Sequence, residues 1–384
     1  MTWLWVALAV LAGLSVGLDA FAWRNLRRTR QLRDLPASLG KTPRVSVIMA
    51  ARNESASIGP ALAARLADTY PSLEFILVDD RSTDRTGEIA GAAAASDARL
   101  SVVRIDELPE GWLGKVHALA QGVRHATGDY LLFSDADVSV SPDATTRAVG
   151  LCEAEAIDCL GLIPEYHSPS VLVGAAWTVF VRLLCMAMGL PRLSEPKAPT
   201  VVGSGAFTLV RRSAYDRTPG LEDLRMETGD DMALAVMIQT AGGHCETVFG
   251  SGCARVQMYE STNALLLGIE KNGSTGAASP GRVCGGLAAF ALLDTMPLIA
   301  ALTGPMWLRG LGVCLSLLAW TANVAILRTT CRQWAPALLW PLGTFLLAYA
   351  TSRATVLAKV RGGVFWRDTF YPLAELEAGR RYTL

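Results

Sequence analysis

Apolar positions along this chain follow two different patterns. Between Pro43 and Gly252, short apolar runs alternate with stretches of helical spacing. Arg44–Ala50, Leu73–Val78, Leu100–Ile105 and Tyr130–Phe133 read as strands, rich in β-branched and aromatic residues. Between them, Ser55–Leu66 carries Ile58, Leu62 and Leu66 at helical intervals, Thr86–Ala95 is alanine-rich, and Lys115–Ala126 is the next helix. Ser55 or Ser57 is a suitable cap for the first of these. This alternation predicts an α/β domain with a largely parallel central sheet and right-handed crossovers. Ligands of such sheets bind beyond the carboxyl ends of the strands. Polar clusters stand at those ends: Arg52-Asn53-Glu54, Asp79-Asp80, and Asp135 with Asp137.

The second pattern lies toward the chain ends. Trp3–Leu18 is almost wholly apolar, and the run reaches Trp23 with Asp19 as its one charge. With Asp19 near an interface, this suffices for a span of about 20 residues. Arg24, Arg27, Arg28, Arg30 and Arg33 follow at once. A secretory signal places its positive charge before the apolar run. Residues 1–23 are therefore expected to be a transmembrane anchor and 24–42 a basic juxtamembrane linker on the cytosolic side. Further on, Val283–Thr303, Met306–Leu327 and Ala335–Leu357 are long enough to cross a membrane, but contain Asp294, Arg309 and Arg353 respectively. A carboxylate at mid-bilayer costs about 2.5–3.5 kcal/mol, so the Asp294 segment is expected to lie in the interface. The basic residues Arg353, Lys359, Arg361, Arg367, Arg380 and Arg381 favour a cytosolic tail over 359–384. That parity favours two spans over three within 283–358. Val171–Leu190, apolar around Arg182, is either an amphipathic helix on the membrane face or an ordinary core helix.

Composition then removes several classes. The 35 basic and 35 acidic residues cancel, which argues against a nucleic-acid partner. Hydrophobic residues make up 51 % of the chain, which excludes disorder. Eight cysteines without a C-x-x-C pair suggest neither a zinc ribbon nor a disulfide scaffold; they are expected to be reduced and mostly buried. His117, His125, His167 and His244 lack metal-ligand spacing and are expected to be surface or packing residues.

The first strand is followed by no G-x-G-x-x-G and the chain has no P-loop, so dinucleotide and P-loop chemistry lose their support. What remains is carboxylate. Asp135 and Asp137 follow a buried strand and can converge along it or through a turn. Hard oxygen donors of this kind suit Mg²⁺ or Mn²⁺, above all when substrate phosphates complete the shell. Two loop or cap aspartates are the bland alternative, weakened by the other polar strand ends beside them.

Val45–Glu54, Val78–Asp84 and Gly128–Asp137, in that order, resemble the family 2 glycosyltransferases of the GT-A fold. Leu108–Gly122 and Val364–Leu373 are similar to the membrane-anchored subgroup that includes hopanoid-associated and carotenoid glycosyltransferases. The resemblance implies a GT-A domain over 43–282 with interfacial helices, flanked by transmembrane helices. It implies that Asp80 contacts the uridine of a nucleotide donor, with Ala50, Asn53 and Glu54 in the loop around the nucleotide. By the same resemblance Lys115 lies near the donor, Asp135 near its ribose and sugar, and Asp137 is the ligand of Mg²⁺ or Mn²⁺. In Gly229–Ala235, Asp231 corresponds to the general base, and Asp230 stands where Glu is usual. The Q-x-x-R-W motif of processive synthases is missing; Tyr259-Glu260 to Ile269–Asn272 occupies its region.

The implied activity is inverting transfer of a sugar from a nucleotide-diphosphate sugar, UDP-sugars favoured, to a hydroxyl of a lipid or other membrane-associated acceptor. The implied setting is a bacterial inner membrane with a cytosolic catalytic domain. The metal and Lys115 would offset the charge of the leaving diphosphate, unless Lys115 is merely a solvated residue at a helix start. Asp231 would take the acceptor's proton, although either aspartate could cap the helix that follows. Gly203-Ser204-Gly205 predicts a turn into a strand beside the acceptor pocket. Two rivals are a haloacid-dehalogenase-like phosphatase using Asp135/Asp137 and a nucleotidyltransferase. The first usually places its motif after its first strand, whereas three strands precede it here. The second wants a glycine-rich loop where this chain has Ala50–Glu54. A non-catalytic scaffold is disfavoured by the retention of every acidic position.

Overall fold

The computed structural model describes residues 2–38, 40–187, 203–271, 279–366 and 369–382. The chain divides into two units, one from 29–165, 191–257 and 375–384 and the other from 1–28, 166–190 and 258–374.

The first unit is built on a seven-stranded sheet. Its strands are Val45–Ala51 (β1), Leu73–Asp80 (β2), Leu100–Ile105 (β3), Tyr130–Asp135 (β4), Cys159–Ile163 (β5), Thr208–Arg211 (β6) and Cys245–Phe249 (β7). The spatial order is β3-β2-β1-β4-β6-β5-β7. β1 pairs in parallel with β2 and β4, β2 with β3, and β5 with β7. β6 alone runs against its neighbours β4 and β5. The apolar runs of β1 and β2 are buried almost throughout, as expected where both faces of a parallel sheet are covered. Register sets the site: Ala50 lies opposite both Val78 and Asp135, so β1, β2 and β4 finish level. Because β6 is reversed, its first residue, Thr208, pairs with Phe133 near the end of β4. The Gly203-Ser204-Gly205 segment before it therefore arrives at the same edge.

The predicted helices appear as Ile58–Leu66, Thr86–Ser96 and Gly114–His125. The expected serine cap does not form. Ser57 takes the cap position without a capping bond, and its hydroxyl instead donates to Glu54 Oε2 at 2.9 Å. Ser55 bonds to Asp84 instead, its backbone N–H donating to Oδ2 at 3.0 Å.

The second unit is mostly helical. Thr2–Arg28, Pro280–Thr303 and Met306–Thr330 are long and apolar enough to cross a membrane. Trp340–Arg361 is a 22-residue helix that is not among them. Asp19 and Asp294 meet a partner here that nothing near either of them in the chain announces. Both carboxylates are buried, and both pair with Arg182, at 2.8 Å (Asp19 Oδ1) and 2.7 Å (Asp294 Oδ1). A charge among apolar helices is tolerated when it finds a partner there, and Arg182 is the shared partner. Thr344 donates its hydroxyl to Asp294 Oδ2, and Arg182 also lies 5.8 Å from the centre of the Phe290 ring. The Arg182 segment is the helix Val171–Ala187, whose Val173, Ala175, Ala176, Val179 and Val181 are buried. It is a core helix of this unit, not an exposed membrane face. Gly343 shows how closely it is packed, since a side chain there would meet the backbone of Ala175 at 2.4 Å. Residues 188–190, Asn272, and Arg367 with Asp368 of the C-terminal motif lie outside the described residues.

Candidate active site

Lys115 is the second residue of its helix, and its ammonium is held between carboxylates. Nζ lies 2.8 Å from Asp135 Oδ1 and 3.4 Å from Asp230 Oδ2. Burial alone would lower its pKa, but the charges of Asp135, Asp230 and Asp231 outweigh it and hold Lys115 well above the ordinary lysine range. Asp135 ends β4, and Asp230 opens the helix Asp230–Thr240. Three separate elements thus converge on one cation.

Neither aspartate of the pair is a cap. The cap position belongs to Gly229, and no side chain bonds there. Asp230, buried, faces Lys115. Asp231 Oδ2 accepts the Gly205 N–H at 2.7 Å, and Oδ1 accepts the Met232 N–H at 2.8 Å. Gly205 also accepts the Asp135 N–H through its carbonyl at 2.7 Å. One backbone residue therefore spaces Asp135 from Asp231. A Cβ there would lie 2.7 Å from Asp135 Oδ2 and 3.1 Å from Lys115 Nζ, so any larger residue would push these two side chains aside. Gly203 is tighter still, its missing Cβ falling 1.8 Å from the Asp231 carbonyl oxygen. Lys115, Asp135, Gly205, Asp230 and Asp231 line a cavity of about 10 Å³, floored by Leu119, Phe133 and Leu234. It has room for about one water.

Asp137 occupies the turn after β4, with Val138–Val140 beyond it pairing with Ala254–Gln257. Loss of solvent around its carboxyl, together with the charges of Asp135 and Glu54, pushes it up to about 6, although the residue keeps an exposed face. Among the described residues, no three His, Cys, Asp or Glu side chains gather into a metal cage.

The residues expected to face a nucleotide are held by the protein itself. Asp80 is gripped by Arg81, with Nε to Oδ1 at 2.7 Å and Nη2 to Oδ2 at 3.0 Å. Asn53 adopts a left-handed φ of 53°. Its Oδ1 accepts the Thr83 N–H at 2.9 Å, and its own N–H donates to Ser82 Oγ at 3.1 Å. The Glu54 N–H donates to Thr86 Oγ1 at 2.8 Å. The loops after β1 and β2 are thereby stitched together beside Ala50.

One residue near the site went unread in the sequence. Arg65 is fully buried, donates to the Ser134 hydroxyl, and lies 5.7 Å from the centre of the Phe207 ring. Burial, opposed by Asp68 and Asp135, lowers it to about 10. A signal was present: Ile58, Ala61, Leu62 and Arg65 share one helical stripe. His117 is a packing residue, buried edge-on against Trp112 with ring centroids 5.3 Å apart, and burial keeps its imidazole below the usual value. His125 and His167 are exposed. None of the eight cysteines forms a disulfide, and six of them are buried.

Residues 46–218 match the model of the family described as "Glycosyl transferase family 2". The chain carries a family 2 glycosyltransferase domain. The enzyme is 26 % identical over 324 residues to a 4,4'-diaponeurosporenoate glycosyltransferase of Staphylococcus aureus (strain bovine RF122 / ET3-1), covering 83 % of this chain and 80 % of that one. The protein of the same name in strain N315 matches to the same extent. Among solved structures, the mannosyltransferase PcManGT from Pyrobaculum calidifontis, in complex with GDP-Man and Mn²⁺, aligns with a TM-score of 0.55 at 20 % identity, covering 92 % of this chain and 98 % of that one. That likeness confirms the GT-A fold. Family 2 transfer displaces the phosphatase and nucleotidyltransferase alternatives.

Proposed function

We propose that this glycosyltransferase moves a sugar, with inversion, from a nucleotide-diphosphate donor to a hydroxyl of a lipid acceptor. The observation that carries this reading is Lys115, fixed between Asp135 and Asp230 at the carboxyl ends of the strands, with Asp231 beside it. A preset cation there meets a departing diphosphate without reorganising. Ala50, Asn53, Glu54 and Asp80 are assigned to the nucleotide, with UDP favoured, and Asp135 to the ribose and sugar. The acceptor oxygen attacks the anomeric carbon in line, the bond from that carbon to the diphosphate oxygen breaks, and Asp231 receives the acceptor's proton. Two backbone N–H bonds orient the Asp231 carboxylate and leave it lone pairs for that proton.

Mg²⁺ or Mn²⁺ is assigned to Asp137, with Asp135 next to it. The donor set fits. Asp137, Asp135 and Glu54 crowd like charge together, and a site with only one or two carboxylates suits an ion whose shell is completed by substrate phosphates. When bound, the ion supplies charge neutralisation at the leaving group. The Mn²⁺ and GDP-Man of the mannosyltransferase structure support a divalent ion and a nucleotide sugar. The carotenoid glycosyltransferase relatives and the three long apolar helices support a lipid acceptor and an integral membrane enzyme. Its catalytic domain is assigned to the cytosolic side of a bacterial inner membrane.

The test incubates membranes containing the enzyme with labelled UDP- and GDP-sugars and extracts the lipids. The expected product is a glycolipid of inverted anomeric configuration, formed by the wild type and not by Asp231→Asn. Label confined to water-soluble products, or wild-type turnover in Asp231→Asn, contradicts the proposal.

A further inference from the structure

The residues after Glu375 belong to the same unit as the sheet. Leu376 is buried, and Gly379 packs so closely that a side chain there would meet Met226 Cβ at 2.3 Å. Beyond it, the chain runs along the loop that precedes Asp230. Glu227 in that loop is only 3 % exposed. Its Oε1 accepts the backbone N–H of Arg381 at 2.6 Å and that of Tyr382 at 3.3 Å. The Tyr382 hydroxyl donates to Asp223 Oδ2 at 3.3 Å, and Arg381 Nε lies 3.6 Å from Asp223 Oδ1. The same loop reaches the site twice. Three residues after Glu227 comes Asp230, and the Arg225 carbonyl accepts the Leu113 N–H at 2.7 Å, just ahead of Gly114 and Lys115. The loop thus holds the start of the Lys115 helix and the start of the Asp230 helix together, and the tail fastens its far side. A buried carboxylate is costly unless its hydrogen bonds are made, so Glu227 selects one placement of the tail.

We infer that Glu227 is a positioning residue and that residues 380–382 form a strap holding Asp230 and Lys115 in register for transfer. The inference rests on the Lys115–Asp230–Asp231 cluster being the transfer site. The strap works through the backbone, so its decisive test removes N–H groups from the full-length chain. Arg381→Pro with Tyr382→Pro deletes both donors, whereas Arg381→Ala with Tyr382→Ala keeps them and removes only the side chains. Glu227→Ala deletes the acceptor, whereas Glu227→Gln retains an Oε1 for both bonds. Turnover is measured per donor-binding site, so a loss of folded protein does not register.

The proline pair and Glu227→Ala are expected to lower kcat by about fivefold or more at nearly constant donor KM, because small misplacements of catalytic groups cost this much and more. The alanine pair and Glu227→Gln are expected to stay close to wild type. A smaller fall in the proline pair overturns the strap, as does an equal fall in the alanine pair or in Glu227→Gln. Asp231→Asn is assayed alongside. If it is inactive while the proline pair is fully active, the strap fails and the site stands. If it turns over normally, the site assignment itself fails.

Discussion

At the carboxyl edge of the sheet, Lys115 sits between Asp135 and Asp230; among the apolar helices, Arg182 sits between Asp19 and Asp294. Both clusters set one cation against two carboxylates drawn from distant parts of the chain. They differ in access. The side chains of Lys115 and Asp135 retain 23 % and 38 % of their exposure, whereas those of Arg182 and Asp19 retain 0 % and 1 %. In the proposed transfer the first cluster exchanges a carboxylate for an incoming phosphate, a role that suits lysine, a compact point charge on a flexible stem. The second cannot be reached by a ligand. Its planar guanidinium, which can serve two carboxylates at once, suits a permanent joint between the helices Thr2–Arg28, Val171–Ala187 and Pro280–Thr303. Similar charge chemistry thus builds the proposed transfer site in one place and a buried helix joint in the other.

The comparison is open to attack at several points. The largest effect is expected for Asp231→Asn. Loss of the base should cost about 10²–10⁴ in kcat with donor affinity retained, measured by transfer of labelled sugar and by donor titration. Next comes Arg182→Ala, which strands two buried carboxylates. It should cost about 3–5 kcal/mol of stability, read as loss of folded enzyme in detergent, with normal turnover in the molecules that remain folded. A kinetic defect in those molecules would show that Arg182 belongs to catalysis after all. Lys115→Ala should do the reverse, lowering kcat by about 10²-fold with a smaller change in melting temperature than Arg182→Ala. The smallest effect is expected when Asp19, Arg182 and Asp294 are replaced together by Leu, Met and Leu. Exchanging a whole buried ion cluster for apolar side chains is often neutral or stabilising, so the triple variant should melt near the wild type. If it melts as low as Arg182→Ala, the joint contributes net stability of its own.

Much of the sheet, and the placement of the candidate site at its edge, is legible in the sequence because both depend on local order. The β1 to β4 runs are continuous apolar stretches, and the candidate residues sit where those stretches stop or where helices begin. The pairings could not be read. Asp19 and Asp294 each read as an isolated fault in an apolar segment, for which an interface position is the local account. Their common partner lies 163 residues from Asp19, and nothing local announces it. That Asp230 and Asp231 leave the cap position to Gly229 is equally hidden, because their contacts are to Lys115 and to the Gly205 amide. The reversed direction of β6 has no local signature either, and Glu227 reads as one more acidic loop residue until the tail is placed against it.

That reversed strand also has a meaning in time. β4 needs β6 as its second neighbour, yet 73 residues separate Asp135 from Thr208. At about 5–20 residues per second, the ribosome takes roughly 4–15 s to make that stretch. Throughout the interval the newborn sheet presents β4 as an open edge, the kind of surface that invites wrong pairing. Asp135 then waits without the Gly205 carbonyl, and Asp231 has not yet been synthesised. A chain halted in that window is an exposed strand edge awaiting a chaperone or a protease.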